Sequence, residues 1–229
     1  MKYLSMVVVV CAFIFSGCNE DEGNSPFDRT TESATYEITV ASGWNNNYAP
    51  VPNGALFSPI AGAVVNSEST LWAPGSTASP GFEALAELGE TAGLITEIND
   101  EIAENKALSS FTTASFGAVD TVKFQVTVNR TFPEITFASM LDPTPDWIIG
   151  VECLSFLDEE GLWHTNLSRE LPVYDAGTEE GRGFTLNNPP TEPKQPIGLL
   201  QGTVAGTLNF IDGEANGRHI AIMGARRIQ

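Results

Sequence analysis

Val122-Lys123-Phe124-Gln125-Val126-Thr127-Val128 decides the fold. Every second residue is apolar and every residue between is polar. In an extended chain successive side chains point to opposite faces, so this stretch puts Val122, Phe124, Val126 and Val128 on one face. A strand wet on one side and buried on the other belongs to an antiparallel sheet packed on a core. The same period extends outward. Tyr36, Ile38 and Val40 alternate upstream; Ile135, Phe137 and Ser139 follow a turn at Pro133; residues 147–156 form a longer apolar run. Residues 203–210 and 219–223 read as a closing hairpin around Asp212-Gly213.

One stretch has another period. Ser79 caps a helix whose first residue is Pro80, and Phe82, Leu85, Ala86 and Leu88 follow at helical spacing up to Gly89. A second helix fits residues 92–106, with Leu94, Ile95, Ile98 and Ile102 on one stripe and Glu97, Asp100, Glu101 and Glu104 on a solvated face. The expected fold is mainly β: an antiparallel β-sandwich with a short helical insertion. Turn-rich stretches at 45–53, 158–161, 175–183 and 187–196 are its candidate binding loops.

The chain opens MKYLSMVVVVCAFIFSGC. The apolar run at 6–15 is too short to span a bilayer, which takes ~20 residues, and fits a signal-peptide core. Ser16 and Gly17 before Cys18 resemble the lipobox of bacterial lipoproteins, in which the cysteine is lipidated and becomes the new N-terminus. The expected organisation is therefore a lipoprotein signal peptide at 1–17, a flexible acidic tether at 18–33 with lipid on Cys18, and one domain at 34–229. Asn19 resembles an outer-membrane address, and the early acids resemble surface-export tags. The location implied is the cell envelope, as an outer-membrane lipoprotein exposed at the surface and touching membrane only through its lipid anchor.

The formal charge is −18, and removing residues 1–17 takes away Lys2 and no acid, leaving −19. Such a chain repels nucleic acid and attracts cations. Cys153 is the one cysteine left in the domain, so no internal disulfide forms. Its apolar surroundings mark it as a buried, inert thiol.

Several motifs then line up in order: Phe57-Ser58-Pro59-Ile60-Ala61-Gly62, Leu71-Trp72, Ala86-Glu87-Leu88-Gly89, Pro143-Thr144-Pro145-Asp146-Trp147 and Tyr174-Asp175-Ala176-Gly177-Thr178-Glu179. Together they resemble the spondin domain, the N-terminal module of F-spondin and mindin, over about residues 36–201. The resemblance implies a C2-like sandwich, an adhesive or binding role toward a surface protein or glycan, no catalysis, and a calcium ion at one end. The ligand positions it implies are Asp146, Asp175 and Glu179, with Glu179 standing where the family has aspartate and Leu56 where it has histidine.

The residue chemistry is compatible. Calcium takes 6–8 oxygen ligands. Pro143 and Pro145 have no amide hydrogen and leave carbonyls to face an ion. Gly177 permits a tight turn, and three acids without a basic partner call for a cation. Spacing alone also permits Asp175 and Glu179 to cap turns and Asp146 to end a strand. Against catalysis, His164 and His219 have no zinc-site spacing, no nucleophile elbow is present, and Pro59 denies Ser58 an oxyanion-hole amide. The competing classes are a glycan hydrolase using a carboxylate pair and a structural lipoprotein without a soluble ligand. An exposed tryptophan near the acids would favour a sugar; Trp44 is the candidate for exposure and Trp147 for the core.

Overall fold

The computed structural model describes residues 26–47 and 49–229. The signal peptide, Cys18 and the first part of the tether lie outside the described residues. Strand β1, Ser33–Ser42, opens the fold. Two short strands, β2 (Leu56–Phe57) and β3 (Ala61–Val65), lead to helices α1 (Pro80–Leu88) and α2 (Ala92–Ala103). Then come β4 (Ala107–Thr112), β5 (Phe116–Gly117), β6 (Thr121–Asn129), β7 (Glu134–Asp142) and β8 (Trp147–Ser155). The chain ends with β9 (Asn166–Leu171), β10 (Val173–Asp175), β11 (Gly198–Leu199), β12 (Gly202–Val204), β13 (Leu208–Ile211), β14 (Glu214–Ala215) and β15 (Ala221–Arg227).

One sheet has the order β6-β1-β15-β9. A second runs β11-β10-β8-β7-β2-β5, with β3 paired to β7 and β4, and β12-β13-β14 form a small third sheet. The pairings are antiparallel, as the alternation requires. Val126 and Val128 are buried, and Val122 and Phe124 pack half-buried against the same core. The four share one face. On β1, Tyr36, Ile38 and Val40 are fully buried; each large apolar side chain so placed contributes ~1.5–3 kcal/mol.

A second core lies on the outer face of the β7/β8 sheet, where the helices cover it. Phe82, Leu85, Leu94 and Ile98 meet Ala61, Ala63, Ala138 and Ile148 there. This is why β3 and β7 are buried on both faces and lose the alternation of β6. Ser79 caps α1 through the Phe82 amide, with Pro80 first and Gly89 left-handed at the end, as the sequence predicts. Helix α2 stops at Ala103, three residues early, because Asn105 turns left-handed. The helices touch where glycine meets glycine: a Cβ on Gly81 would lie 2.5 Å from the Gly93 carbonyl carbon.

Four expectations are corrected. The acidic face of α2 is not simply solvated. Glu97 accepts from Ser79 Oγ and the Gly81 amide at the start of α1, both at 2.6 Å. Glu101 is 7% exposed and accepts from Ser69 Oγ and from the amide and hydroxyl of Thr70. The hairpin at Asp212-Gly213 exists, but its second arm is only β14. The final strand β15 instead leaves to fill the slot between β1 and β9. The packed domain starts before residue 34: Arg227 donates to the Asp28 carbonyl and to Thr31 Oγ1, and Trp163 donates its indole N–H to the Thr31 carbonyl at 2.7 Å. Cys153 is half-buried, not fully buried, and sits at a register shift between β7 and β8 with φ of 42°.

The sandwich has two distinct ends. The chain enters at the Ser33 end of β1, beside Trp163, and Tyr36 stacks on Phe156 close by. About 30 Å along ten extended residues lies the Ser42 end. There Phe184 packs on both Trp44 and Trp147, so Asp146 belongs to the end remote from chain entry.

Candidate metal centre

Asp146 closes the turn between β7 and β8. Thr144 shapes that turn: its hydroxyl donates to the Leu141 carbonyl and accepts from the Trp147 amide. Neither the Pro143 nor the Pro145 carbonyl accepts a backbone hydrogen bond among the described residues. Thr144 and Asp146 are both fully buried. Asp146 Oδ2 accepts three hydrogen bonds, from the Thr178 amide (2.7 Å), the Thr178 hydroxyl (3.2 Å) and the Glu179 amide (3.1 Å). Its other oxygen, Oδ1, is buried and has no partner. Burial and then the nearby charge of Asp175 push its carboxyl up to about 7, against the pull of the three donors.

Asp175 ends β10 directly opposite Trp147 on β8, so strand register delivers it next to Asp146. Its Oδ1 accepts from the Gly177 amide at 2.9 Å. Burial raises its pKa as well, while that amide and the charge of Arg182 act the other way. Gly177 has φ of 73°, and a Cβ there would lie 2.3 Å from the Gln195 carbonyl oxygen, so the turn admits no other residue.

Glu179 arrives by its main chain. Its amide binds Asp146, whereas its carboxylate accepts from Asn188 Nδ2 at 3.2 Å. The structure thus brings Asp146 and Asp175 into electrostatic contact and holds the Glu179 carboxylate on Asn188. Among the described residues no three His, Cys, Asp or Glu side chains gather in an arrangement that holds a metal as it stands. The residues fit an ion in one respect: an unpartnered, buried carboxylate oxygen on Asp146 next to a second acid.

The expectation of a site without a base is corrected, because Arg182 lines the same cleft as Asp175 and Glu179. Thr178 was legible inside the Tyr-Asp-Ala-Gly-Thr motif, but nothing in that motif says that its hydroxyl binds Asp146. Asn188 and Arg182 carried no signal in the sequence; loop folding alone brings them in. Trp44 is buried and donates to the Pro50 carbonyl, and Trp72, Trp147 and Trp163 are buried too, so no tryptophan offers a face to a sugar.

An antiparallel sandwich with paired acids in its end loops defines a β-sandwich module. The family model described as Spondin_N matches residues 34–206, and the chain belongs to that family. It is similar to Spondin-1 of Rattus norvegicus, 28% identical over 192 residues, which cover 80% of this chain and 24% of that protein. Spondin-2 of Homo sapiens is 28% identical over 172 residues, 72% of this chain and 51% of that protein. Spondin-1 of Gallus gallus is 26% identical over 192 residues, covering 80% and 24%. The chain spans about a quarter of Spondin-1 and about half of Spondin-2.

Proposed function

We propose that this chain is a lipid-anchored, extracytoplasmic binding or adhesion module, non-catalytic, with a calcium site in its end loops. Family membership supports the binding class. The motif before Cys18 supports the anchor, and with it an outer-membrane, surface-exposed location. The observation that carries the calcium reading is the orphaned Asp146 Oδ1, buried beside Asp175. A buried polar atom without a partner is costly, and an ion would satisfy it. Asp146 and Asp175 are the acids that would hold it, with carbonyls of 143 and 145 alongside and Glu179 recruited from Asn188. Bound calcium supplies positive charge that offsets the mutual repulsion of the acids. Arg182 supplies part of that offset in its absence. The site lies at the end remote from chain entry, so an anchored domain would present it away from the membrane.

A glycan hydrolase needs its acid to touch the sugar, and Asp146 is fully buried. That argument removes Asp146 as the acid of a hydrolase. The test is a melting curve of the protein in calcium and in chelator. A higher midpoint in calcium supports the reading, and identical midpoints sink it. Detergent partitioning of Cys18→Ala tests the anchor separately: retained acylation would refute it.

A further inference from the structure

A groove of about 370 Å³ opens between the C-terminus of α1, the β2 and β7 strand ends and the loop after Glu179. This is within the size range of small-ligand sites. Leu56 and Met140 line it, and Leu88 and Leu186 flank it, 63% and 45% exposed. Its acids are Glu87, Asp142 and Glu179. No Lys, Arg or His lines it. Lys194 pairs with Glu83 at 2.7 Å, and its charge also reaches Glu87. Asp142 is half-buried at the end of β7. A second source of negative potential converges there. Helix α1 ends at Leu88 and Gly89, which line the groove, and has no basic residue in its last turn to balance the dipole.

We infer that this groove takes an arginine- or lysine-bearing peptide segment of a partner protein. Its aliphatic stem would lie over Leu56, Leu88 and Leu186, and its cationic head would meet Asp142 and Glu87. Long basic side chains have this two-part character, an apolar stem carrying a charge. Arginine fits best, since its planar fork matches a carboxylate bidentately. A hydrated metal ion would leave the apolar walls unused. The inference names a partner class for the binding reading and goes beyond the calcium reading, with which it shares only Glu179.

The test titrates the full chain in nonionic detergent, blanked on empty micelles, with acetyl-Leu-Arg-Leu-Arg-Leu-amide. A control peptide has citrulline in place of each arginine. Both run in calcium and in chelator. The arginine peptide should bind in both conditions, and the citrulline peptide should not. Asp142→Asn and Leu186→Ser should each weaken binding by about tenfold. Leu186 is exposed on a loop, so its variant folds even if Asp142→Asn does not. Equal binding of the two peptides overturns the inference, as does no effect of either substitution. Spermine binding with the affinity of the peptide, unchanged by Leu186→Ser, overturns it in favour of unspecific polycation attraction. Peptide binding seen only in calcium also overturns it, and moves the contact to the calcium loops.

Discussion

Thr178 binds Asp146 Oδ2 twice, through its amide at 2.7 Å and its hydroxyl at 3.2 Å. The two residues are 32 positions apart, and their contact ties the turn before β8 to the loop after β10. One carboxylate oxygen therefore holds the loop, and the other is buried without a partner.

Asp146→Asn keeps an oxygen to accept from Thr178 and removes the charge an ion requires. Calcium at a hundredfold excess over its dissociation constant should stabilise the wild type by ~2.7 kcal/mol. The variant should lose most of that gain while its midpoint in chelator changes little. Paired melting curves in calcium and chelator measure this. A variant with the full calcium gain would remove Asp146 from the site.

Glu179→Asp restores the family's residue and shortens the side chain that now reaches Asn188. Calcium binding should be kept or tightened, read as the midpoint of a calcium titration. A large loss of affinity would mean that the longer glutamate is the fitted ligand here.

Glu101 lies in the last turn of α2 and Glu104 caps its end, and their surroundings differ. Glu101→Ala strands three donors around a buried carboxylate and should cost about 2–3 kcal/mol. Glu104 is 60% exposed, and Glu104→Ala should stay within ~0.5 kcal/mol. Urea unfolding of both variants checks the contrast, and equal effects would refute it.

Gly81→Ala forces a methyl into the Gly93 backbone. Overpacking of this kind costs about 1–3 kcal/mol, so the melting midpoint should fall. Gly54→Ala meets no atom within 4 Å but has φ of 81°, so any loss there is strain alone. A Gly81→Ala midpoint equal to wild type would mean that the helices separate freely.

The Cys153 thiol is pushed up to about 11, chiefly by burial, against a Thr136 hydrogen bond. Its folded pKa lies above the unfolded value. The associated stability is therefore present below that unfolded value and lost as pH rises through about 11. Iodoacetamide should label Cys153 slowly at pH 8 in the folded chain, and faster as pH climbs toward 11. Peptide mass spectrometry at Cys153 reads the rate; fast labelling at pH 8 would contradict the burial argument.

Much of this was legible because it is local. The alternation of β6 and the Ser79-Pro80 to Gly89 bracket of α1 are written in neighbouring residues. The spondin motifs, too, pointed to Asp146 and Asp175. The destination of β15 was not legible. A turn at Asp212-Gly213 signals a hairpin, but partners as far apart in sequence as Tyr36 and Arg227 leave no mark near the turn. The burial of Glu101 was hidden likewise, since its partners Ser69 and Thr70 come from before α1.

The sequence alone determined the secondary-structure periods, the acidic charge and the family, because each depends on composition or on short spacing. Only the tertiary structure decided which acids are buried and what they touch. It put the Glu179 amide on Asp146 and its carboxylate on Asn188, brought Arg182 near Asp175, and left Asp146 Oδ1 without a partner. Desolvation and hydrogen bonding are properties of the packed loops, and packing joins residues that the chain keeps far apart.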